Sequence, residues 1–183
     1  MANLKTMPHQ PEPRDLLKGK TALITAAAGT GIGFSAAKRF MQEGASVFIS
    51  DIHEGRLEKA ADKLEAETGA RPGTALCNVT VQSDVDNLFS VASAAAGPIN
   101  VLVNNAGLGG TANLVDMKDE EWMSVMDVTV NSCFRMTRAG MQHMRDHDGG
   151  VIVNNASVLG WRAQKGQAHY AAAKAGVMAF TRC

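Results

Sequence analysis

The sequence predicts an α/β protein, a doubly wound parallel sheet with helices on both faces. Three observations predict it. Five short runs rich in Val, Ile and Leu recur between residues 20 and 155, without the polar alternation of a strand that has one wet face. The segments between them repeat apolar residues at helical spacing. Strand and helix alternate at intervals that call for right-handed crossovers, and these lay successive strands parallel.

The elements follow in order. Residues 20–25 (KTALIT) lead through a glycine-rich turn into a helix marked by Phe34, Ala37 and Met41. Residues 46–50 (SVFIS) precede a helix in which Leu57, Ala60, Ala61 and Leu64 fall at i, i+3, i+4 and i+7. The run at 73–77 is followed by Val81, Val85, Leu88 and Ala92, the same theme again, and the run at 100–104 by the longest helix, 117–145. Trp122, Val125, Met126, Cys133 and Met136 form its expected buried stripe. The fifth run, 150–155, leads to a last helix that starts near Gln167 and is expected to run to Cys183. Gly176 falls inside that pattern and no Pro closes it. The chain is thus expected to end within an element, truncated after this helix, with the fifth strand's edge open.

A chain of 183 residues supports one domain, expected over residues 19–183 behind a polar, flexible arm at 1–18. Eighteen Lys and Arg balance eighteen Asp and Glu, so no basic field exists to hold nucleic acid or an anionic membrane. No apolar run approaches the roughly 18 residues of a membrane span, and the N-terminus lacks a secretory core. Cys77, Cys133 and Cys183 are odd in number and far apart, which points to free thiols and a cytoplasmic protein.

The first strand runs into Thr25-Ala-Ala-Ala-Gly29-Thr-Gly31-Ile32-Gly33 and then a helix. Glycines at such a junction let backbone approach a pyrophosphate held at the helix N-terminus. A glycine turn alone is a weak sign, since any tight turn uses glycine. Its context strengthens it. Asp51 closes the second strand 18 residues beyond Gly33, near the spacing of about 20 at which a carboxylate meets a ribose 2′-hydroxyl. A carboxylate there repels a 2′-phosphate, so NAD is expected over NADP; Arg56 is the one nearby cation that argues otherwise.

Ser157 follows the fifth strand at the sheet's carboxyl edge, and Tyr170 and Lys174 stand at i, i+4 on the last helix. A phenol with its ordinary pKa of about 10 is only about 0.1% ionised at pH 7. Bringing it into the neutral range takes about 4 kcal/mol, of which an ammonium about 5 Å away supplies about 3 kcal/mol at an effective dielectric near 20. Lys174 is thus strong enough to turn Tyr170 into a working acid/base. A lone Tyr-x-x-x-Lys on an Ala-rich helix is commonly mere surface; Ser157 and the glycine turn set this one apart.

TAAAGTGIG (25–33), Asp51, VNNAG (103–107) and NNAS through YAAAK (154–174) together resemble the short-chain dehydrogenase/reductase family over the whole chain after the arm. The resemblance implies a Rossmann-type fold and hydride transfer between a nicotinamide cofactor and an alcohol/carbonyl pair. It implies that Tyr170 moves the proton, Ser157 bonds the substrate oxygen, and Lys174 binds the nicotinamide ribose. Thr25, Gly29, Gly31, Ile32 and Gly33 belong to the implied cofactor set. So do Asp51, Asn78, Val79, Asn104, Asn105, Ala106 and Gly107, of which the 104–107 stretch also braces the sheet. A homodimer or homotetramer is implied too.

Three departures stand out. Ala27 occupies the family's first glycine and Thr25 sits one residue too far upstream. Asn78 replaces the aspartate that commonly touches adenine. Aligning DVTVNSCF with the family's DVNLxGxF puts Thr129 where the catalytic asparagine stands, and Asn131 is no substitute because two residues turn about 200° around a helix. The strands and substrate lid that follow the Tyr-Lys helix in the family are absent from this sequence, so a chain of this length is expected to bind NAD weakly and turn over poorly.

The stretch 151–180 resembles members that act on a ring hydroxyl of CoA thioesters in steroid-nucleus breakdown, more than 3-oxoacyl reductases. Trp161 can stack on an alicyclic ring and Arg162 can pair with a carboxylate or CoA phosphate; alternatively Trp161 packs under a loop and Arg162 is simply solvated. His143 and His147 stand at i, i+4, yet no third ligand accompanies them and no metal is expected. A non-catalytic NAD-binding sensor is the reading from another class, opposed by the intact Ser157, Tyr170 and Lys174.

Overall fold

The computed structural model describes residues 10–183. In chain order the elements are β1 (Thr21–Thr25), α1 (Ile32–Gln42), β2 (Ser46–Asp51), α2 (Glu54–Thr68), β3 (Gly73–Leu76), α3 (Gln82–Ala96), β4 (Ile99–Asn104), α4 (Asp119–Met126), α5 (Ser132–Arg145), β5 (Val151–Asn154) and α6 (Ala168–Thr181). The sheet order is β3-β2-β1-β4-β5 and every pairing is parallel. Strand order reverses between β1 and β4. In such sheets the crevice beyond the carboxyl ends at that reversal is where ligands bind.

The strands lack polar alternation because both faces are covered. Ala22, Ile24, Val47, Ile49 and Val103 pack with Phe34 and Ala37 of α1 and Leu57, Ala61 and Leu64 of α2. On the other face Leu23, Phe48 and Leu102 meet Val85, Leu88 and Phe89 of α3 and Met136 of α5. α2 ends where Gly69 takes a left-handed φ of 80° and returns its N–H to Glu65, the usual role of glycine after a helix.

Three local expectations are corrected, and one turn is added. The expected helix over 117–145 starts at Asp119, where the Lys118 N–H meets Glu121 Oε2 at 3.0 Å, and a π-turn at Asp127–Asn131 separates α4 from α5. The last helix stops at Thr181 rather than Cys183, with the N–H groups of Arg182 and Cys183 turning back to Ala179 and Phe180. A single 3-10 turn, Val158–Gly160, intervenes between β5 and α6. Residues 1–9 of the expected arm lie outside the described residues. Its remainder is fastened: Glu43, only 4% exposed, accepts the N–H groups of Arg14 (2.9 Å) and Leu16 (3.1 Å). These two N–H groups, with the Arg39 guanidinium, hold the Glu43 carboxyl below its usual pKa.

β5 is bonded to β4 on one side, and Val151 and Val153 on it stay 59% and 47% exposed.

Candidate active site

β1 delivers the chain to a turn whose first residue, Ala26, holds a left-handed φ of 51°, unusual for a side chain with a Cβ. The turn's glycines then divide by task. A Cβ at Gly29 or Gly31 would meet nothing within 4 Å, so both face open space. A Cβ at Gly33 would lie 2.6 Å from Asn105 Nδ2 and 2.9 Å from the Ala26 carbonyl oxygen, so α1 approaches the turn this closely only with glycine there. No side chain caps α1 and no acidic residue stands in its first turn, while Ile32 is 66% exposed. Its first N–H groups are therefore suited to an anion.

Beside that helix end, a cavity of about 280 Å³ is lined by Asp51, Arg56, Asn78, Val79, Ala106 and Gly107 among others. Asp51 Oδ1 accepts the His53 N–H at 3.1 Å and lies 3.4 Å from Arg56 Nη2. Asn78 Oδ1 is taken by Thr80, through its N–H at 3.1 Å and hydroxyl at 2.8 Å. That leaves the amide nitrogen as the end to offer a ligand. The open glycines, the uncapped helix and this cavity form one cradle that fits a dinucleotide.

Two residues of the expected cofactor set lie beneath the cradle, and Asn104 braces the sheet as its stretch was expected to. Thr25 is 1% exposed, and its hydroxyl accepts the N–H groups of Asn105 (3.0 Å) and Ala106 (3.1 Å) across the strand reversal. Asn104, 6% exposed, donates to Asn154 Oδ1 (2.8 Å) and Thr137 Oγ1 (3.0 Å). Both brace the sheet, Thr25 through its hydroxyl and Asn104 through its amide nitrogen. Asn105 supports the turn, its Nδ2 donating to the carbonyls of Thr25 (3.1 Å) and Ala26 (3.0 Å).

Sequence reasoning missed Asn155. The tetrapeptide Val-Asn-Asn-Ala occurs at 103–106 and again at 153–156, and the two copies lie side by side, Val103 against Val153 and Asn104 against Asn154. Asn155 Nδ2 donates to Asn105 Oδ1 at 2.9 Å. The repeat was the available signal.

Ser157 opens the 3-10 turn, its Oγ accepting the Leu159 N–H at 3.2 Å, so its O–H remains to donate. A Cβ on Gly160 would come within 2.7 Å of the α6 backbone at Lys174 and Ala175, which shows how tightly the turn sits on the helix. Tyr170 is half-buried; a Cβ on Gly109 would reach 3.6 Å from its ring. Lys174, 3% exposed, donates to the Asn155 carbonyl at 2.5 Å and holds its Nζ 5.8 Å from the Tyr170 ring centre. Burial pushes the Lys174 pKa down, with the Cys133 sulfur acting weakly in the other direction. Around this group Leu108, Val158 and Trp161 are 40%, 65% and 79% exposed. Trp161 therefore does not pack under a loop.

Thr129 lies in the π-turn, 1% exposed. Its hydroxyl accepts the Leu108 N–H (3.1 Å) and donates to the Leu108 carbonyl (3.2 Å). Asn131 is exposed and bonded to Asp127. His143 and His147 stack at 4.3 Å, and His143 Nε2 accepts the Ile99 N–H at 2.9 Å. Among the described residues no group of three or more His, Cys, Asp or Glu gathers as a metal site, and no helix is long and apolar enough to cross a membrane. Burial pushes the Cys77 thiol up to about 12 and raises that of Cys133.

This parallel sheet, with its glycine turn and the Tyr170–Lys174 helix beyond the carboxyl ends of the strands, has the architecture of a nicotinamide-dependent oxidoreductase. The short chain dehydrogenase model matches residues 20–183, and the chain belongs to that family. It is 54% identical over 182 residues to the (5R,7aS)-5-hydroxy-7a-methyl-1-oxo-2,3,5,6,7,7a-hexahydro-1H-indene-carboxyl-CoA reductase of Mycobacterium tuberculosis, a match covering 99% of this chain and 70% of that protein. It is 38% identical over 167 residues to the 3-oxoacyl-[acyl-carrier-protein] reductase of Chlamydia muridarum, covering 91% and 67%. The crystal structure of a short chain dehydrogenase from Mycobacterium smegmatis superposes with a TM-score of 0.94 at 56% identity, covering 99% of this chain and 76% of that one.

Proposed function

We propose that the protein catalyses hydride transfer between NAD and a secondary alcohol or ketone on an alicyclic ring carried as a CoA thioester. The observation that carries this reading is the buried Lys174 ammonium, 5.8 Å from the Tyr170 ring centre on the same helix face. The relative at 54% identity is named for a bicyclic CoA substrate, and Trp161, Val158 and Leu108 are exposed apolar side chains available to such a ring. Exposed Arg162 is placed on the same segment to meet a CoA phosphate.

A bound dinucleotide would be held by the α1 N–H groups at Ile32 and Gly33 beside Gly29 and Gly31, with Asp51 available to the adenosine ribose, which would favour NAD over NADP. Asn78, Val79, Ala106 and Gly107 would line the adenosine side, and Lys174 would serve the second ribose. The nicotinamide, when bound, supplies or accepts the hydride. Ser157 donates its hydroxyl to the reacting oxygen. Tyr170 gives that oxygen a proton during ketone reduction and takes it back during alcohol oxidation. Lys174 keeps a cationic group 5.8 Å from the Tyr170 ring centre.

The same reading takes a homodimer or homotetramer, supported by the apolar groove that Phe134, Met141 and Phe180 form on α5 and α6.

The test is NADH oxidation, followed at the reduced nicotinamide's absorbance, with a bicyclic keto CoA thioester and with a 3-oxoacyl thioester. Turnover of the first, lost by at least about 10²-fold in Tyr170→Phe with NADH binding retained, supports the proposal. Preference for the linear thioester moves the substrate to the alternative reductase class. Binding without consumption of NADH makes the chain a sensor.

A further inference from the structure

The amide ladder between β4 and β5 reaches from the glycine turn to the catalytic helix. Asn105 Nδ2 holds the carbonyls of Thr25 and Ala26, Asn105 Oδ1 accepts from Asn155 Nδ2, and the Asn155 carbonyl accepts from Lys174 Nζ. Asn155 also donates its own N–H to the Asn104 carbonyl at 2.9 Å, so its peptide is fixed from two sides. We propose that Asn155 is a positioning residue: its side chain ties the tip of β5 to the glycine turn, and its carbonyl parks the Lys174 ammonium beneath Tyr170. This inference rests on the proposed roles of Lys174 and Tyr170.

The chemistry of the pair explains why two amides are used. Asn105 must donate to two carbonyls of the turn, which leaves only its oxygen toward β5. The group facing that oxygen must be a donor, and it must carry no charge beside an ammonium. Asn supplies both. Valine, leucine or aspartate at 155 would leave Asn105 Oδ1 without its partner, and aspartate would also set two acceptors against each other. Ala26 is the turn residue with the left-handed φ, so its carbonyl is where a lost tether would act first.

The titratable groups that face the Lys174 ammonium are Tyr170 on α6 and Cys133 on α5, and His169 accepts the Tyr170 N–H. None of them bonds the Asn155 side chain. A change in the pH profile on altering that side chain therefore reports movement of Lys174, not the loss of a titrating partner.

The experiment compares the full chain with Asn155→Leu, close in shape but without the amide, and with Asn155→Asp. Hydrogen exchange of the peptide over residues 25–33 is read without cofactor or substrate. Both variants are expected to exchange faster there by about tenfold, roughly the loss of one net hydrogen bond, with exchange in α2 unchanged. NADH affinity is expected to fall several-fold. The pH profile of alcohol oxidation is expected to shift, because the charge that Asn155 holds beside the reacting centre has moved. Unchanged exchange at 25–33 in two folded variants overturns the tether. Faster exchange with a pH profile that superimposes on the parent's overturns the parking of Lys174. If the parent itself consumes no NADH, the functional reading fails, while the exchange result still decides the tether.

Discussion

The Thr129 hydroxyl holds both polar atoms of a single peptide unit's residue, Leu108: it accepts the N–H at 3.1 Å and donates to the carbonyl at 3.2 Å. Leu108 lies between Gly107, where a Cβ would sit 3.4 Å from Lys174 Nζ, and Gly109, where one would sit 3.6 Å from the Tyr170 ring. Thr129 thus fixes the wall against which the Tyr-Lys helix stands. Replacing it by Val keeps the shape and removes both bonds. The expected result is a loss of about 1–3 kcal/mol in stability by denaturant unfolding and a fall in kcat/KM. Thr129→Ser is expected to restore most of both.

Asp51 Oδ1 stands 3.4 Å from Arg56 Nη2, and on the proposed reading this carboxylate selects between the cofactors. Asp51→Ser removes the charge that repels a 2′-phosphate and frees the guanidinium to meet it. The ratio of kcat/KM for NADH to that for NADPH is expected to fall by at least about tenfold, or 1.4 kcal/mol. Adding Arg56→Ala should raise the ratio again, and steady-state rates with each cofactor measure both.

Two glycines of one turn are expected to respond oppositely to the same methyl. Gly33→Ala drives a Cβ to 2.9 Å from the Ala26 backbone oxygen and should lower the melting temperature by several degrees, about 1–3 kcal/mol of overpacking. Gly29→Ala meets no atom within 4 Å. It should leave melting nearly unchanged and weaken NADH binding, read by fluorescence titration, because the methyl enters the cradle.

His143 makes stability depend on pH. Its Nε2 accepts the Ile99 N–H, which only neutral imidazole can do, and burial with the neighbouring His147 lowers its pKa below 6.5. The unfolded chain therefore takes up the proton first on acidification. The contribution is complete above about pH 6.5 and is lost as pH falls through the lower folded value. Melting temperatures over about pH 7.5 to 5.5 should fall more steeply for the parent than for His143→Gln, whose amide oxygen accepts without titrating.

How much of this was readable beforehand depended on the range of the interaction. The five strands and their parallel pairing followed from apolar runs and crossover spacing, which are local signals. Asp51 and the Tyr170–Lys174 pair were visible because their spacing is itself the chemistry. Asn104 braces the sheet as its stretch was expected to, while the burial of Thr25 was not legible, since a motif names residues without saying which side chains are consumed beneath the site. The π-turn was invisible because a widened helical turn leaves the apolar stripe almost in phase. Asn155 went unseen although its tetrapeptide was repeated, because its meaning appears only when β4 and β5 lie side by side.

Glu43 binds the backbone just ahead of β1, at the amino ends of the strands. The dinucleotide cradle lies at their carboxyl ends. A fusion partner or surface linker attached on the amino-terminal side is therefore gripped at the pole opposite the cleft, so immobilised protein presents its candidate reaction centre outward.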